Sequence, residues 1–447
     1  YFCDGLTEEI ITDLSYINDL LVISRSSAMT FKGSKKTIKQ IAKKVNVQYV
    51  LEGSVRKSGN NLRIVAQLID AENDIHIWAE KYTGTLDDIF DIQEKVSHSI
   101  VETLKIKLNQ EEISNIEERP VENTNANEYY LKARYEIHRF TEDSLNRALV
   151  ALESSLEIVG KNAQLYAEIG FAHWQFINLR IKPEEHAEQA MKYANLAIEL
   201  EPKNAWANVI LAGFQFFEGN MLESEKSVKT ALKGNSNDPD LLFWCAWFLM
   251  MTGNFSAIYP IVEKAITIDP LNPLQYMTKG ATDFFNGKFN SAVDYCLKAH
   301  LMQPDNPMLT FWYTISLAYV GKNEEAIKIL NNHLNLTQSN PDAFTQMGYF
   351  IKIILTGKTD GILKLKSDGY FEHIKEDAQG SYHTACFYSR LDEKESALDW
   401  LEIAINKGCS MYPLINEQDP FLKNIRGESR FRELIKKVKI QWEAFKI

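Results

Sequence analysis

Gly219-Asn220, Gly253-Asn254, Gly287-Lys288 and Gly321-Lys322 punctuate the chain at a constant interval of 34 residues. The residues between them keep the same step. Ala231, Ala265 and Ala299 lie twelve places beyond the first three glycines, and Pro270 and Pro304 lie seventeen beyond the middle two. Ala212, Ala246 and Gly280 stand seven places before the first three. A helix, a glycine turn, a second helix and a closing proline, repeated every 34 residues, form the tetratricopeptide pattern. The small residues let paired helices approach closely, and proline stops the second helix because it cannot donate the next backbone hydrogen bond.

Working outward, the grid continues in both directions with defects. Upstream, Gly170, Ala190, Ala197 and Pro202 fit if about eight residues around Lys182-Pro183 are inserted in a turn, and Tyr129 to Val159 reads as an earlier helix pair. Downstream, Pro341 to Glu372 is worn, with Gly357, Gly361 and Gly369 interrupting its helices, before Ala385, Ala397 and Ala404 recover the pattern. That gives about eight repeats over residues 127–411, followed by a capping segment over 412–447 whose helix runs from Glu428 to Phe445. The five basic residues Arg430, Arg432, Lys436, Lys437 and Lys439 suit a helix C-terminus.

Residues 1–112 have another rhythm. Thr7 to Ile17, Thr37 to Val45 and Leu86 to Leu108 have helical periodicity, and Leu20 to Ser24 reads as a short strand. Tyr49 to Lys57, Leu62 to Asp70 and Ile75 to Tyr82 read as three strands joined at Gly59-Asn60 and Asn73-Asp74, which suit tight hairpins. The fold class is therefore mainly α: a helical solenoid preceded by a small α+β domain over 1–112, with a polar linker at 113–126 containing Pro120.

Four motifs carry a family resemblance. Asp4-Gly5-Leu6-Thr7-Glu8-Glu9-Ile10, Leu51-Glu52-Gly53-Ser54-Val55-Arg56, Gln67-Leu68-Ile69-Asp70 and Ile77-Trp78-Ala79-Glu80-Lys81-Tyr82 resemble the TolB-amino-terminal-like domain of bacterial signalling proteins. Asp419-Pro420-Phe421 and Arg430-Phe431 resemble the end of such chains. The resemblance implies a sensory or scaffolding half attached to an upstream output module: a class III nucleotide cyclase, a kinase or a DNA-binding domain. It departs from the family at its start, where the first strand is missing. The opening Tyr1 points the same way, to a piece of a longer protein.

Composition narrows the function further. Among 447 residues, 49 are basic and 60 acidic, so the net charge of −11 offers no overall field for a nucleic-acid backbone. Five scattered cysteines make neither a disulfide framework nor a zinc site, and they favour a reducing, cytoplasmic setting. The strongest apolar run, Leu241 to Met251, is shorter than the roughly 20 residues a spanning helix needs. A membrane-tethered arrangement, on either side, follows only if a transmembrane helix lies upstream.

Catalytic motifs are scarce. Gly357-Lys358-Thr359 ends like a phosphate-binding loop, but Lys352 stands where that loop needs glycine. No two histidines have metal-ligand spacing, and His173 and His300 read as packed or solvated residues of repeat helices. The chain is expected to be no enzyme, with no cofactor and no metal.

Two surfaces are candidates for partners. In tetratricopeptide arrays the first helix of each pair lines the concave side, and positions counted back from each turn glycine give Trp206, Phe216, Phe217, Phe243, Trp247, Met250, Met251, Met277, Phe284, Phe285, Phe311 and Tyr319. A wall of Met and aromatics suits an apolar peptide or partner domain. Register error, or a wall that is simply core, explains the same residues equally well. The second surface is Lys32, Lys35, Lys36, Lys39, Lys43 and Lys44, in a stretch with no acidic residue from Leu20 to Leu51. It suits an anionic partner, against the simpler reading of a solvated lysine face. The function expected is a protein-interaction scaffold of a bacterial signalling protein. The alternatives are the regulatory half of a cyclase or transcription regulator, or a small-molecule sensor. A homodimer stays open.

Overall fold

The computed structural model describes residues 2–17, 19–85, 88–109, 113, 121, 123–137, 139, 141–179, 181–234, 237–336, 343–359, 361–367 and 369–445. The chain divides into two compact units, Tyr1–Leu211 with Thr230–Leu241 and Thr267–Leu271, and Ala212–Lys229 with Leu242–Ile266 and Asn272–Ile447. Most of the expected 113–126 linker lies outside the described residues.

The first unit begins with α1 (Phe2–Ser15), α2 (Arg25–Met29) and α3 (Ile38–Val45), then β1 (Tyr49–Ser58), β2 (Asn61–Asp70), β3 (Ile75–Thr85) and α4 (Ile89–Thr103). The strands form one antiparallel sheet in the order β1-β2-β3, with Ser58 opposite Asn61 at the first turn. Gly59 has φ +60° and Asp74 φ +57°, the left-handed conformations the two hairpins require. Period-two alternation sends Leu62, Ile64, Ala66 and Leu68 of β2 to one face, where they meet Leu6, Ile10 and Leu14 of α1 and Ile92, Val96 and Ile100 of α4. Thr37 and Gln40 cap α3 reciprocally.

One expected strand is corrected. Leu20 to Ser24 has no ladder partner; Ser24 instead caps α2, accepting from the Ser27 amide. Its apolar composition is spent on packing Leu20 and Val22 against the domain core.

Helix pairs follow in the same unit: Thr124–Ile137 with Glu142–Val159, and Ala163–Asn178 with Pro183–Leu200. The inserted turn ends at Lys182, whose φ of +40° leads into Pro183 at the first helical turn. Gly170 allows close approach: a Cβ there would lie 3.3 Å from the Ala190 carbonyl oxygen.

In the second unit the 34-residue period is written into the backbone. Gly219, Gly253, Gly287 and Gly321 all adopt positive φ, from +71° to +81°. Asn272 and Asn306 cap the helices that open with Pro273 and Pro307. Helices Pro273–Phe285, Phe289–Met302, Pro307–Tyr319, Asn323–Leu336 and Ala343–Thr356 continue the array. The worn repeat then breaks into Gly361–Ser367 and Tyr370–Ile374, with Gly369 in the left-handed region between them. Ala378–Arg390 and Lys394–Asn406 restore the pair, and Ser429–Ala444 ends the described chain. Cys245, Cys296, Cys386 and Cys409 are all buried. No described helix is long and apolar enough to cross a membrane.

Candidate functional site

In the second unit most of the expected groove is core. Phe216, Met250, Met251, Met277, Phe284, Phe285, Phe311 and Tyr319 are all buried, so these eight have no surface to offer a ligand. What covers them is the chain itself. His383, on Ala378–Arg390, has its ring 5.9 Å from Phe284, 5.6 Å from Phe285, 5.5 Å from Phe311 and 5.7 Å from Trp312. Burial holds this imidazole neutral, its pKa lowered to about 3, and neither ring nitrogen has a hydrogen-bond partner.

A polar knot ties the C-terminal segment down beside it. The buried Asp419 carboxylate accepts from Tyr319 Oη at 3.0 Å, from Tyr382 Oη, from Cys386 Sγ at 3.4 Å and from the Phe421 amide at 2.8 Å. Desolvation raises its pKa, as it does for the surrounding phenols and thiol. Phe421 stacks on Tyr319 with centroids 4.1 Å apart. Sealed from solvent, the knot anchors structure and has no opening for a substrate.

The repeat turns meet the same segment. The Gly253 Cα faces the Met411 backbone and the Trp442 indole, and the Ser410 amide donates to the Met251 carbonyl at 2.9 Å. The expected C-terminal cap therefore does more than cover the last repeat; its helix reaches back to the turn at Gly253, where Asn254 Nδ2 donates to the Phe445 carbonyl. A shallow cavity of about 450 Å³ opens there, lined by Asn254, Tyr259, Asn286 and Trp442 among others. Arg430 is also corrected: it sits in the first turn of its helix, not the last, and bridges Asp399 at 2.7 Å and Glu402 at 2.6 Å on the preceding helix.

Only part of the proposed groove stays at the surface. Phe243 and Trp247 are half-buried and stacked 6.0 Å apart, and Phe217 is 41% exposed. In the first unit Trp206 is half-buried against Phe171 and donates its indole N–H to Asp238 at 3.2 Å.

The site that sequence reasoning missed lies in the first unit. Arg134, on Thr124–Ile137, meets Glu8 of α1 at 2.9 Å and Glu168 of the next first helix at 3.7 Å, and Arg25 of α2 meets the same Glu8 at 3.1 Å. Gln164 donates to Glu168 and to Tyr130 Oη, each at 3.3 Å. Ser26 and Ser27 of α2 donate to the buried Asp269 carboxylate at 2.8 and 2.6 Å, joined by Ser24 at 2.5 Å. These partners are 242 to 245 residues apart in the chain, beyond the reach of any local pattern.

The remaining candidates are placed as follows. All six lysines of the basic stretch are exposed; Lys39 Nζ lies 3.4 Å from the Glu72 carbonyl, and Lys44 Nζ sits 5.8 Å from the Phe31 ring centre. Gly357 has φ +69° and closes a helix, so Gly357-Lys358-Thr359 is a turn. His173 and His186, thirteen residues apart, have their Nδ1 atoms 2.7 Å from each other, a pairing that spacing did not suggest. Burial holds His173 neutral, its pKa lowered to about 4. No group of three or more metal-ligating side chains forms among the described residues.

Residues 2–102 match a family model described as the second domain of HilA/YgeH-like transcriptional regulators. A curated relative, "Putative adenylate cyclase 3" of Rhizobium meliloti, is 36% identical over 214 residues, which cover 47% of this chain and 36% of the relative. The transcriptional regulator HilA of Salmonella typhimurium is 23% identical over 209 residues, covering 45% of this chain and again 36% of the relative. The matched part thus spans about a third of the length of each. Among solved structures, a tetratricopeptide repeat protein from Parabacteroides merdae aligns with a TM-score of 0.36 at 14% identity, over 63% of this chain and all of that one. The human IFIT1 dimer with PPP-AAAA aligns at 0.44 and 14%, over 90% and 94%.

Proposed function

We propose that this chain is the regulatory, protein-interacting part of a bacterial signalling protein and performs no chemistry itself. The observation that carries the reading is the combination of a regulator-type domain over residues 2–102 with a tetratricopeptide array. Repeats of this kind present extended faces rather than catalytic clefts. The finer resemblance to the TolB-amino-terminal-like domain belongs to the same proposal, as does the output module upstream. Relatives named as a cyclase and as a transcription regulator favour a shared sensing half joined to different outputs.

The partner surface narrows to what the C-terminal segment leaves uncovered. Phe243 and Trp247 form a stacked aromatic ridge in the second unit, suited to an apolar segment, and Phe217 is a further exposed aromatic there. The lysines of α3 and the preceding loop are the second face, suited to an acidic one. A photo-crosslinking residue at position 247 should capture a partner in cells of the source bacterium. Phe243→Glu should abolish that capture while leaving the circular dichroism of the purified chain unchanged. Capture that survives Phe243→Glu would remove the ridge from the proposal. Phe284→Glu cannot serve for this test, since Phe284 is core.

A further inference from the structure

The contact of α1 and α2 with the repeats in the first unit is polar, convergent and unbalanced in charge. α1 contributes Glu8, Glu9 and Asp13, and α4 contributes Glu94 beside Asp13. The repeat helices and turns contribute Glu168, Asp238, Asp240 and Asp269. Among the described residues, the guanidinium groups of Arg25 and Arg134 face this cluster. The neutral donors are Gln93, Ser97, Gln164 and the serines of α2, and Tyr130 Oη accepts from Gln164.

A buried carboxylate without a paired cation is costly unless it holds a proton. The buried Glu168 has Arg134 only at 3.7 Å, and the half-buried Asp13 has one hydroxyl, Ser97, at 3.2 Å. The surroundings act accordingly: burial, reinforced by neighbouring carboxylates, raises Glu9 and Asp13 to about 7 and Asp240 to about 8.

We propose that α1 and α2 form a releasable latch across the first-helix faces of the leading repeats, gripped at Arg134 and Asp269 and loosened when Glu9 and Asp240 lose their protons. Its regulatory meaning, uncovering a repeat face for a partner, rests on the interaction reading above; the latch itself does not. The direction follows from linkage. Groups that hold a raised pKa when docked bind protons that the released state gives up, so docking weakens as pH rises through about 7 to 8.

Two backbone contacts report the latch directly. The Ser24 amide donates to the Ile268 carbonyl at 2.8 Å, and the Leu271 amide donates to Ser27 Oγ at 3.0 Å. Hydrogen exchange of peptides covering residues 20–30 and 267–272 in the full chain, corrected for intrinsic rates, is the measurement. Protection of both should fall at least tenfold between pH 6.0 and 8.5, while Pro273–Phe285 stays protected. Glu9→Gln with Asp240→Asn should keep both peptides protected at pH 8.5. Arg134→Ala should expose them at either pH; if it does not fold, Ser26→Ala with Ser27→Ala gives the same readout. Flat protection in the unaltered chain, or protection indifferent to these substitutions, overturns the latch. Neither result bears on crosslinking at position 247, so the two proposals fail separately.

Discussion

The two compact units fill the inner faces of their repeats with opposite chemistry. In the first, the first-helix faces carry Arg134, Glu168 and Asp240, and receive a charged pair of helices. In the second, the equivalent faces carry Phe284, Phe285, Phe311 and Trp312 and close on His383 of the chain's own helix Ala378–Arg390. Aromatic burial is insensitive to pH and supplies several kcal/mol per ring, so it makes a permanent core. Buried carboxylates in excess of cations respond to protons, so they make a conditional contact. The same repeat pattern thus supports one fixed face and one adjustable face.

Exchanging the two characters should produce the largest effects. Phe284→Glu places a carboxylate where the side chain is fully buried among aromatics, and should cost more than about 4 kcal/mol and destroy cooperative melting of the second unit. Arg134→Met removes the cation that Glu8 and Glu168 share, and should cost about 3–5 kcal/mol near pH 8. That cost should shrink at pH 5, where Glu168, whose pKa burial raises, can take up a proton. Urea unfolding of each variant at both pH values checks the pair. Equal losses for Arg134→Met at pH 5 and 8 would break the distinction between fixed and adjustable faces.

A middle-sized effect separates local backbone preference from packing against the closing segment. Gly321→Ala meets open space, and only its φ of +78° opposes a side chain, so the loss should be about 1 kcal/mol. Gly253→Ala has φ +71° and would also press on the Met411 Cα at 3.1 Å and the Trp442 ring at 3.2 Å. The backbone contact cannot swing away as a side-chain tip can, so the loss should be about 2–3 kcal/mol. Thermal melts of the two variants decide this, and equal shifts would mean the C-terminal segment yields easily.

This comparison also shows what sequence could reveal. The 34-residue period carries helix, turn and small-residue contact within each repeat, so the pairs from residue 205 onward and the three strands were legible from Gly219, Gly253, Gly287 and from Gly59-Asn60. The pattern says nothing about what lies on the inner face. Phe217 and Phe285 each stand two residues before a turn glycine, yet one is exposed and the other sealed under His383, about a hundred residues later. Glu8, Arg134 and Asp269 are ordinary charged residues in three different segments. Only the fold makes them neighbours. Leu20 to Ser24 was misread because an apolar pentamer packs equally well as a strand or as a loop pinned on a core.

The smallest effect probes the fixed face at a polar flaw. His383 is buried with both ring nitrogens unpaired, and a polar group in that condition opposes folding by its lost hydration. His383→Phe keeps the ring that stacks on Phe285 and removes the unpaired nitrogens, so it should leave stability unchanged or raise it by up to about 1 kcal/mol at pH 7. The gain should grow in acid. The imidazole's pKa is lowered to about 3 in the folded chain, against an ordinary value near 6.5 when unfolded. Folding therefore excludes a proton that the unfolded chain takes up, and stability falls as pH drops from 6.5 towards 3. The phenylalanine variant lacks that loss, so the difference in denaturation midpoint between it and the unaltered chain should widen below pH 6. A constant difference would mean His383 finds a hydrogen-bond partner in solution, and the aromatic core would then need polar company after all.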